Sequence, residues 1–381
     1  MHVGGAEGSD RRDFPLPSQR SNRRRRFGTC CRQKRVAAQR PAEDGRGSEG
    51  DNFRWRRATE STAARSGSIK KQARLPVRTL ADVLHGEDQN FRKLVSLLSE
   101  LSFQIVAEIP RSLGTTEGVN IYGETQTAID VWSNELLTKK LIKSGLVNQV
   151  ASEELDEPLQ GVHGEFAVVL DPLDGSSNLK TDNLVGTIVG IYHDTKLPAK
   201  GRDLLSALYF LYGPYVEAVL ALKDATYISV GAGKGSGYER FLTSGDPHRL
   251  PGKGSIYGIG GSKRKWIPEL KEFVESLETR KLKMRYGGSF VGDYNQVLLN
   301  GGFFAYPELL DAPEGKYRLQ FESNPVGFIT EKAGGKASTG RGAVLDVEPT
   351  SIAQRVPTYL GNKDLVLEYE DLLKKQGTTE R

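Results

Sequence analysis

The chain has 381 residues, enough for one large domain or two ordinary ones of roughly 100–200 residues each, and so for a sizeable buried core. Its net charge of +5 is unevenly placed: residues 1–75 hold 16 Arg and 3 Lys against 8 acids, a net of +11, which leaves the rest of the chain at −6. A disulfide framework and a four-sulfur zinc site are excluded, because the two cysteines, Cys30 and Cys31, are neighbours inside that basic segment.

The first segment in chain order, residues 1–75, contains "SNRRRRFGTCCRQKR" and has no hydrophobic periodicity, so it reads as a disordered, Arg-rich extension. Three roles suit it: an organelle-targeting peptide, against which Glu7, Asp10 and Asp13 count; a nucleic-acid-binding arm; or an extension without function. No apolar run approaches the roughly 20 residues that span a bilayer, and no secretory signal is visible, so a soluble protein of a reducing compartment is expected. That compartment is the cytoplasm, or the plastid stroma if the extension is a transit peptide.

From about Leu80 the pattern changes. "TLADVLHGEDQNFRKLVSLLSELSFQIVAEIPRSLG" carries apolar residues at helical spacing and predicts a pair of helices, with Pro110 and Gly114 as punctuation. "TAIDVWSNELLTKKLIKSGL" predicts another helix, closed by Lys143 and Gly145. "GEFAVVLDPLDG" reads as a strand leaving onto a loop, and "LVGTIVGIYHD", "SALYFLYGPYVEAVLAL" and "ATYISVGAGKGSGYERFL" as strands and hairpins. "ELKEFVESLE" is a later helix. "GKYRLQFES" reads as a strand, after which Asn324 and Pro325 open a helix as cap and first-turn proline. The expected division of the folded part is an N-terminal part, 76–250, and a C-terminal part, 251–381.

Several chemistries are disfavoured. The glycine run at 231–237 lacks Ser or Thr after Gly-Lys and joins two antiparallel strands, so it reads as a hairpin loop and not a nucleotide loop. His2, His85, His163, His193 and His248 form no metal-ligand spacing, and no nucleophile-elbow serine is present.

Carboxylates carry the positive signal. In "DPLDGSSNLK", Asp171 and Asp174 can hold hard cations, while Gly175, Ser176 and Ser177 offer small side chains and amides to an anion beside them. Taken alone, "DG" is a turn that ends a strand. Other acids also sit at element boundaries: Glu124 and Asp130 in "YGETQTAID", Glu153 and Glu154 in "VASEELDEP", and Glu322 in "FESNP". Each alone is an ordinary surface acid or cap; together they suit converging active-site loops.

At this point a resemblance becomes specific. "GETQTAID", "SEE", "DPLDGSSN", "RYGGS", "GGFFAYP", "GKYRLQFESNP" and "EKAGGKASTG", in this order, resemble the class I fructose-1,6-bisphosphatase family, within the superfamily of metal-dependent, lithium-sensitive sugar and inositol phosphatases. The likeness covers roughly residues 78–365. It implies a layered αβαβα fold of the α/β (α+β) class, with mixed and antiparallel sheets, and a homotetramer. It also implies hydrolysis of fructose 1,6-bisphosphate in gluconeogenesis or carbon fixation, with sedoheptulose 1,7-bisphosphate as the alternative substrate. A nucleic-acid-binding protein acting through the Arg-rich segment is the alternative of another class.

Carried over residue by residue, the resemblance makes Glu153, Asp171, the Leu173 carbonyl, Asp174 and Glu322 ligands of two or three Mg²⁺ ions, with Mn²⁺ as a possible substitute. Glu154 stands where the family has an acid that activates the attacking water, and Glu124 and Asp130 where it has acids near the first metal. Asp174, Gly175, Ser176 and Ser177 adjoin the reacting phosphate, and Arg318 is a basic residue near it. Arg285, Tyr286, Tyr306 and Lys316 match the end that holds the second phosphate; in "IYGIGGSKRKW", where the family has an asparagine and a tyrosine, Ser262 or Lys263 and Lys265 or Trp266 stand instead, with Lys263 the expected contact. The animal-type enzymes bind AMP through a Gly-Thr-Gly segment and a Lys-Tyr pair; here those places read "HGEDQNFRKLV" and Glu165-Phe166, which implies no AMP inhibition.

Overall fold

The computed structural model describes residues 78–112, 116–119, 125–233 and 237–377. The Arg-rich segment and Glu124 lie outside these residues. The strands are β1 (Arg78–Thr79), β2 (Thr116–Val119), β3 (Thr125–Thr127), β4 (Val147–Ser152), β5 (Leu159–Gln160), β6 (Phe166–Asp174), β7 (Val185–His193) and β8 (Leu204–Tyr212). They continue with β9 (Val216–Ala221), β10 (Thr226–Ala232), β11 (Arg240–Thr243), β12 (Ile256–Ile259), β13 (Lys283–Met284), β14 (Gly302–Tyr306), β15 (Lys336–Ser338) and β16 (Thr358–Gly361). The helices are α1 (Leu80–Val83), α2 (Gln89–Ser112), α3 (Ala128–Lys143), α4 (Pro268–Thr279), α5 (Phe290–Asn300), α6 (Asn324–Lys332) and α7 (Lys363–Gly377).

Nine strands form one sheet in the order β1-β11-β10-β9-β8-β7-β6-β4-β5, antiparallel throughout except for the parallel β4–β6 pair. Five strands form a second, mixed sheet, β13-β12-β14-β16-β15, and β2 pairs with β3 alone. β6 and β7 are apolar at nearly every position because both faces of the large sheet are covered. Val168, Leu170, Val189 and Leu208 meet Leu94, Leu98 and Leu101 of α2 and Leu137 and Leu141 of α3 on one face. Ala167, Val169, Ile188 and Tyr209 meet Phe290, Tyr294 and Val297 of α5 and Val326 and Ile329 of α6 on the other. That middle layer is shared with Phe304 and Leu360 of the second sheet, whose far face is covered by Phe273 of α4 and Val366 and Tyr369 of α7. The order is therefore helix, sheet, helix, sheet, helix, the five layers expected. Truncating one of the fully buried leucines to Ala should cost about 2–5 kcal/mol.

Helix starts follow local chemistry. Asp88 Oδ1 accepts from the N–H groups of Asn90 and Phe91 at the head of α2, at 2.7 and 3.0 Å. At the head of α3, Asp130 Oδ2 accepts from the Thr127 N–H and hydroxyl at 2.7 and 2.8 Å. Pro110 does not punctuate α2, which runs two residues past it to Ser112. The largest correction concerns 315–323. No strand forms there; Leu319–Ser323 is a single wide turn with i to i+5 hydrogen bonding that runs directly into α6. Asn324 has helical φ and ψ of −65° and −53°, so it is part of that helical run and not a cap. The apparent alternation misleads because Gln320, which a strand would turn to solvent, is buried, exchanging hydrogen bonds with Ala199 N and O at 3.0 and 2.8 Å.

Candidate active site

β6 carries both aspartates of "DPLDGSSNLK"; the chain does not leave the sheet at Asp171. Asp171 pairs with Ile188 and Asp174 with Gly186, so three steps on β6 face two on β7, a bulge. In a regular strand, residues three apart point to opposite faces; the extra residue brings both carboxylates to the same cleft. Thr187 Oγ1 holds the bulge by donating to the Pro172 carbonyl at 2.8 Å. Parallel pairing sets the next acid: Ser152 of β4 is in register with Leu170, and the Glu153 N–H donates to the Leu170 carbonyl at 3.0 Å, so Glu153 emerges beside Asp171. Glu322 arrives from the wide turn before α6, its Oε2 accepting from the Arg318 N–H at 2.7 Å.

Glu153, Asp171 and Glu322 thus come from three separate segments, and each offers an oxygen within 4.8 Å of the others. Burial first, then the charges of Glu153, Asp174 and Glu322, hold the Asp171 carboxyl well above its usual range. Burial and then Glu153 do the same to Glu322, against the pull of Arg318. Arg318 Nη1 forms an ion pair with Glu153. The donor set, oxygens only and with negative charge in excess, fits a hard divalent cation.

Asp174 lines the same cleft but stands outside that three-acid cluster. Its oxygens accept from Ser289 Oγ at 2.7 Å, Val291 N at 2.9 Å and Phe290 N at 3.2 Å, the free donors at the start of α5. Burial raises its pKa, and these three bonds oppose the rise. Gly175 follows with a left-handed φ of +76°, and a Cβ there would sit 2.6 Å from Ser289 Cβ, so only glycine lets the two segments touch.

The cleft, about 280 Å³, is lined by Asp130, Glu153, Glu154, Asp171, Leu173, Asp174, Gly175, Ser176 and Ser177. Tyr286, Tyr306, Lys316, Arg318 and Glu322 line the same cleft, with Gly288, Phe290 and Tyr317. Asp130, raised by burial, also takes a hydrogen bond from the Ser176 side chain, which ties the α3 cap to the turn after β6. Lys316 Nζ lies 5.6 Å from the centre of the Tyr306 ring.

Two expected residues are not brought in. Arg285 follows β13 with Tyr286 as its neighbour, and alternation turns the two side chains to different sides. Tyr286 lines the cleft, whereas Arg285 lines a separate groove with Lys253, Arg280 and Lys283, its Nη1 donating to the Met284 carbonyl at 3.0 Å. Lys263 is exposed on a short turn, Lys263–Lys265, which is anchored by the buried Trp266 donating to the Gly260 carbonyl at 3.0 Å. Conversely, Tyr317, buried and stacked on Phe290 at 4.1 Å, lines the cleft without having been singled out, as Ser289 holds Asp174. A serine before the apolar run "FVGDYNQVLL" is a readable helix cap, but nothing local links it to an aspartate 115 residues away.

Comparison with known proteins adds to this geometry. Family models described as the N-terminal and C-terminal domains of fructose-1,6-bisphosphatase match residues 82–230 and 250–374. The class 1 fructose-1,6-bisphosphatase of Trichlorobacter lovleyi is 40% identical over 298 residues, which are 76% of this chain and 93% of that protein. The crystal structure of Leishmania major fructose-1,6-bisphosphatase in its holo form is 31% identical with a TM-score of 0.71, covering 77% of this chain and 99% of that one. A Toxoplasma gondii structure provisionally named a sedoheptulose-1,7 bisphosphatase is 25% identical with a TM-score of 0.72, covering 78% of this chain and 99% of that one. Motif order, layered fold, acid cluster and matched models agree: the chain belongs to the class I fructose-1,6-bisphosphatase family.

Proposed function

We propose that the chain hydrolyses fructose 1,6-bisphosphate to fructose 6-phosphate and inorganic phosphate, with Mg²⁺ as its metal. The observation that carries this reading is a single cleft lined both by a three-carboxylate cluster and by Tyr286, Tyr306 and Lys316. Glu153, Asp171 and Glu322 would hold the ions, joined by the Leu173 carbonyl and by whichever Asp174 lone pairs α5 leaves open. When bound, Mg²⁺ supplies neutralising charge for an anionic monoester, an acidified water and a stabilised leaving oxygen.

The remaining roles belong to the chain. Gly175, Ser176 and Ser177 bind the reacting phosphate through main-chain N–H groups and hydroxyls, and Asp130 fixes Ser176. Glu154 takes the proton of the attacking water as the water oxygen bonds to phosphorus, the phosphorus to sugar-oxygen bond breaks, and the sugar oxygen takes a proton from solvent. Arg318, anchored on Glu153, lends a cationic donor beside the same phosphate. The Tyr286 and Tyr306 hydroxyls and the Lys316 ammonium hold the second phosphate, in ground and transition states alike. Glu124 keeps only the role the resemblance implies. A homotetramer, and a division of the body at 250/251, complete the proposal. The division is supported by the two sheets, one built from 78–243 and the other from 256–361.

The absence of AMP control is part of the same reading. Glu165 accepts from Asn90 Nδ2 at 2.8 Å and lies 3.5 Å from His193 Nε2, while Phe166 is buried against Phe91. With Asp88 already occupying the first donors of α2, a nucleotide phosphate would meet two acids there. The deciding test of function is phosphate release from fructose 1,6-bisphosphate, sedoheptulose 1,7-bisphosphate and an inositol monophosphate at fixed Mg²⁺. The fructose ester should have the highest kcat/KM; a preference for the sedoheptulose ester would change the substrate assignment.

A further inference from the structure

Between β13 and α5 the chain makes a tight turn, "YGGS", that serves the cleft twice: Tyr286 lines it, and Ser289 holds Asp174. Two consecutive N–H groups of this turn, those of Gly287 and Gly288, donate to one carboxylate, Asp293, at 2.5 and 2.9 Å. Asp293 sits one turn into α5, its own N–H bonded to the Ser289 carbonyl at 2.9 Å, so the helix carries the carboxylate back to its entry. On the other side, Asn178 Nδ2 donates to the Gly287 carbonyl at 3.0 Å, clasping the turn against the phosphate-binding loop. Gly288 has a left-handed φ of +87°, the conformation such a turn needs.

Asp293 is only 2% exposed and does not line the cleft, so it cannot touch substrate. Tyr286, by contrast, is 44% exposed, and no hydrogen bond fixes its hydroxyl among the described residues. What orients that ring is the backbone it hangs from, and what holds that backbone is Asp293. A carboxylate is suited to the task because it accepts at both oxygens; an amide in its place would set a donor against one of the two N–H groups.

We propose that Asp293 is a positioning residue for substrate recognition: it locks the Gly287–Gly288 turn so that Tyr286 meets the distal phosphate of the sugar bisphosphate. This rests on the functional reading above. An ordered ring forgoes the loss of freedom it would otherwise incur on binding, so the lock acts on affinity and not on the bond-breaking step.

The test is steady-state hydrolysis of fructose 1,6-bisphosphate by the parent, Asp293→Asn, Tyr286→Ala and the double variant, with fructose 6-phosphate binding measured by calorimetry. Asp293→Asn should raise KM about tenfold and weaken fructose 6-phosphate to match, with kcat and the Mg²⁺ requirement within about twofold. In the Tyr286→Ala background the same substitution should change KM by less than about twofold, because the ring it positions is gone. Should Asp293→Asn fail to fold, Gly287→Ala substitutes for it, since its Cβ would press on Asp293 Oδ1 from 3.3 Å, and KM should move in the same direction. Additive effects of Asp293 and Tyr286, a fall in kcat at constant KM, or unchanged kinetics would each overturn the role while leaving the enzyme a bisphosphatase. A parent inactive on every sugar bisphosphate would overturn the functional reading first, and this role with it.

Discussion

In the cleft the carboxylates are gripped by main chain: Asp171 by Leu173 N at 3.0 Å, Asp174 by two N–H groups of α5, and Glu322 by the Arg318 N–H. Among the other lining residues Lys316 is exposed and Tyr286 nearly half exposed, and the contacts are those of rings and a cation over a ring. The difference teaches where fixed geometry is needed. Like charges held within 4.8 Å repel, and only a rigid, buried frame keeps them together for a metal; the softer contacts fit the proposed role of holding a phosphate away from the reacting bond.

The comparison breaks most visibly at Asp171. Asp171→Asn keeps the shape and the Leu173 contact but removes charge, so kcat should fall by about 10²–10³ or more, the cost of losing a major electrostatic group. The same substitution relieves repulsion among buried acids, so the melting temperature of the chelator-treated protein should rise. A variant that stays active at saturating Mg²⁺, or one that is destabilised without metal, contradicts the account of those carboxylates.

At the softer contacts the effect is smaller and of another kind. Lys316→Ala should raise KM for fructose 1,6-bisphosphate about tenfold while lowering kcat less, and leave thermal stability unchanged because the side chain is exposed. A loss confined to kcat would move Lys316 to the reacting phosphate.

Behind the turn that carries Tyr286 is Asp293, whose carboxyl is pushed up to about 6 by burial, with the Gly287 and Gly288 bonds opposing. Its folded pKa lies above its unfolded one, so the ionised form costs stability above about pH 6, and that cost is relieved as pH falls from about 6 toward 4. The stability of the parent relative to Asp293→Asn, read by denaturant titration, should therefore shift in favour of the parent as pH falls over that interval, by roughly 1–3 kcal/mol. A difference that does not vary with pH would mean that Asp293 is not the titrating group. The smallest expected effect is none at all: AMP added to the hydrolysis assay at fixed Mg²⁺ should leave the rate unchanged, and half-inhibition in the low micromolar range would show that Glu165 and Asp88 do not guard that surface.

Much of the frame was readable from local pattern. Apolar runs such as "FAVVL" and "GTIVGIY" mark strands covered on both faces, and the spacing of Phe91, Leu94, Leu98, Leu101 and Ile105 marks one face of a helix. The wide turn at 319–323 was not readable, because what removes its strand character is Gln320 bonding to Ala199, 121 residues away. Arg285 shows the same limit: its residue type suits a phosphate, and only its place beside Tyr286 after an edge strand sends it to the other groove.

By itself the sequence determined the elements, the acidic loop and the family, since apolar period, turn chemistry and motif order all act within a few residues. Tertiary structure decided which acids meet and what holds them. The β6 bulge, the β4–β6 register and the entry of α6 bring Glu153, Asp171 and Glu322 to one point, and α5 claims Asp174. No local preference favours gathering buried negative charge. It persists because the five packed layers fix those segments more strongly than the carboxylates repel one another.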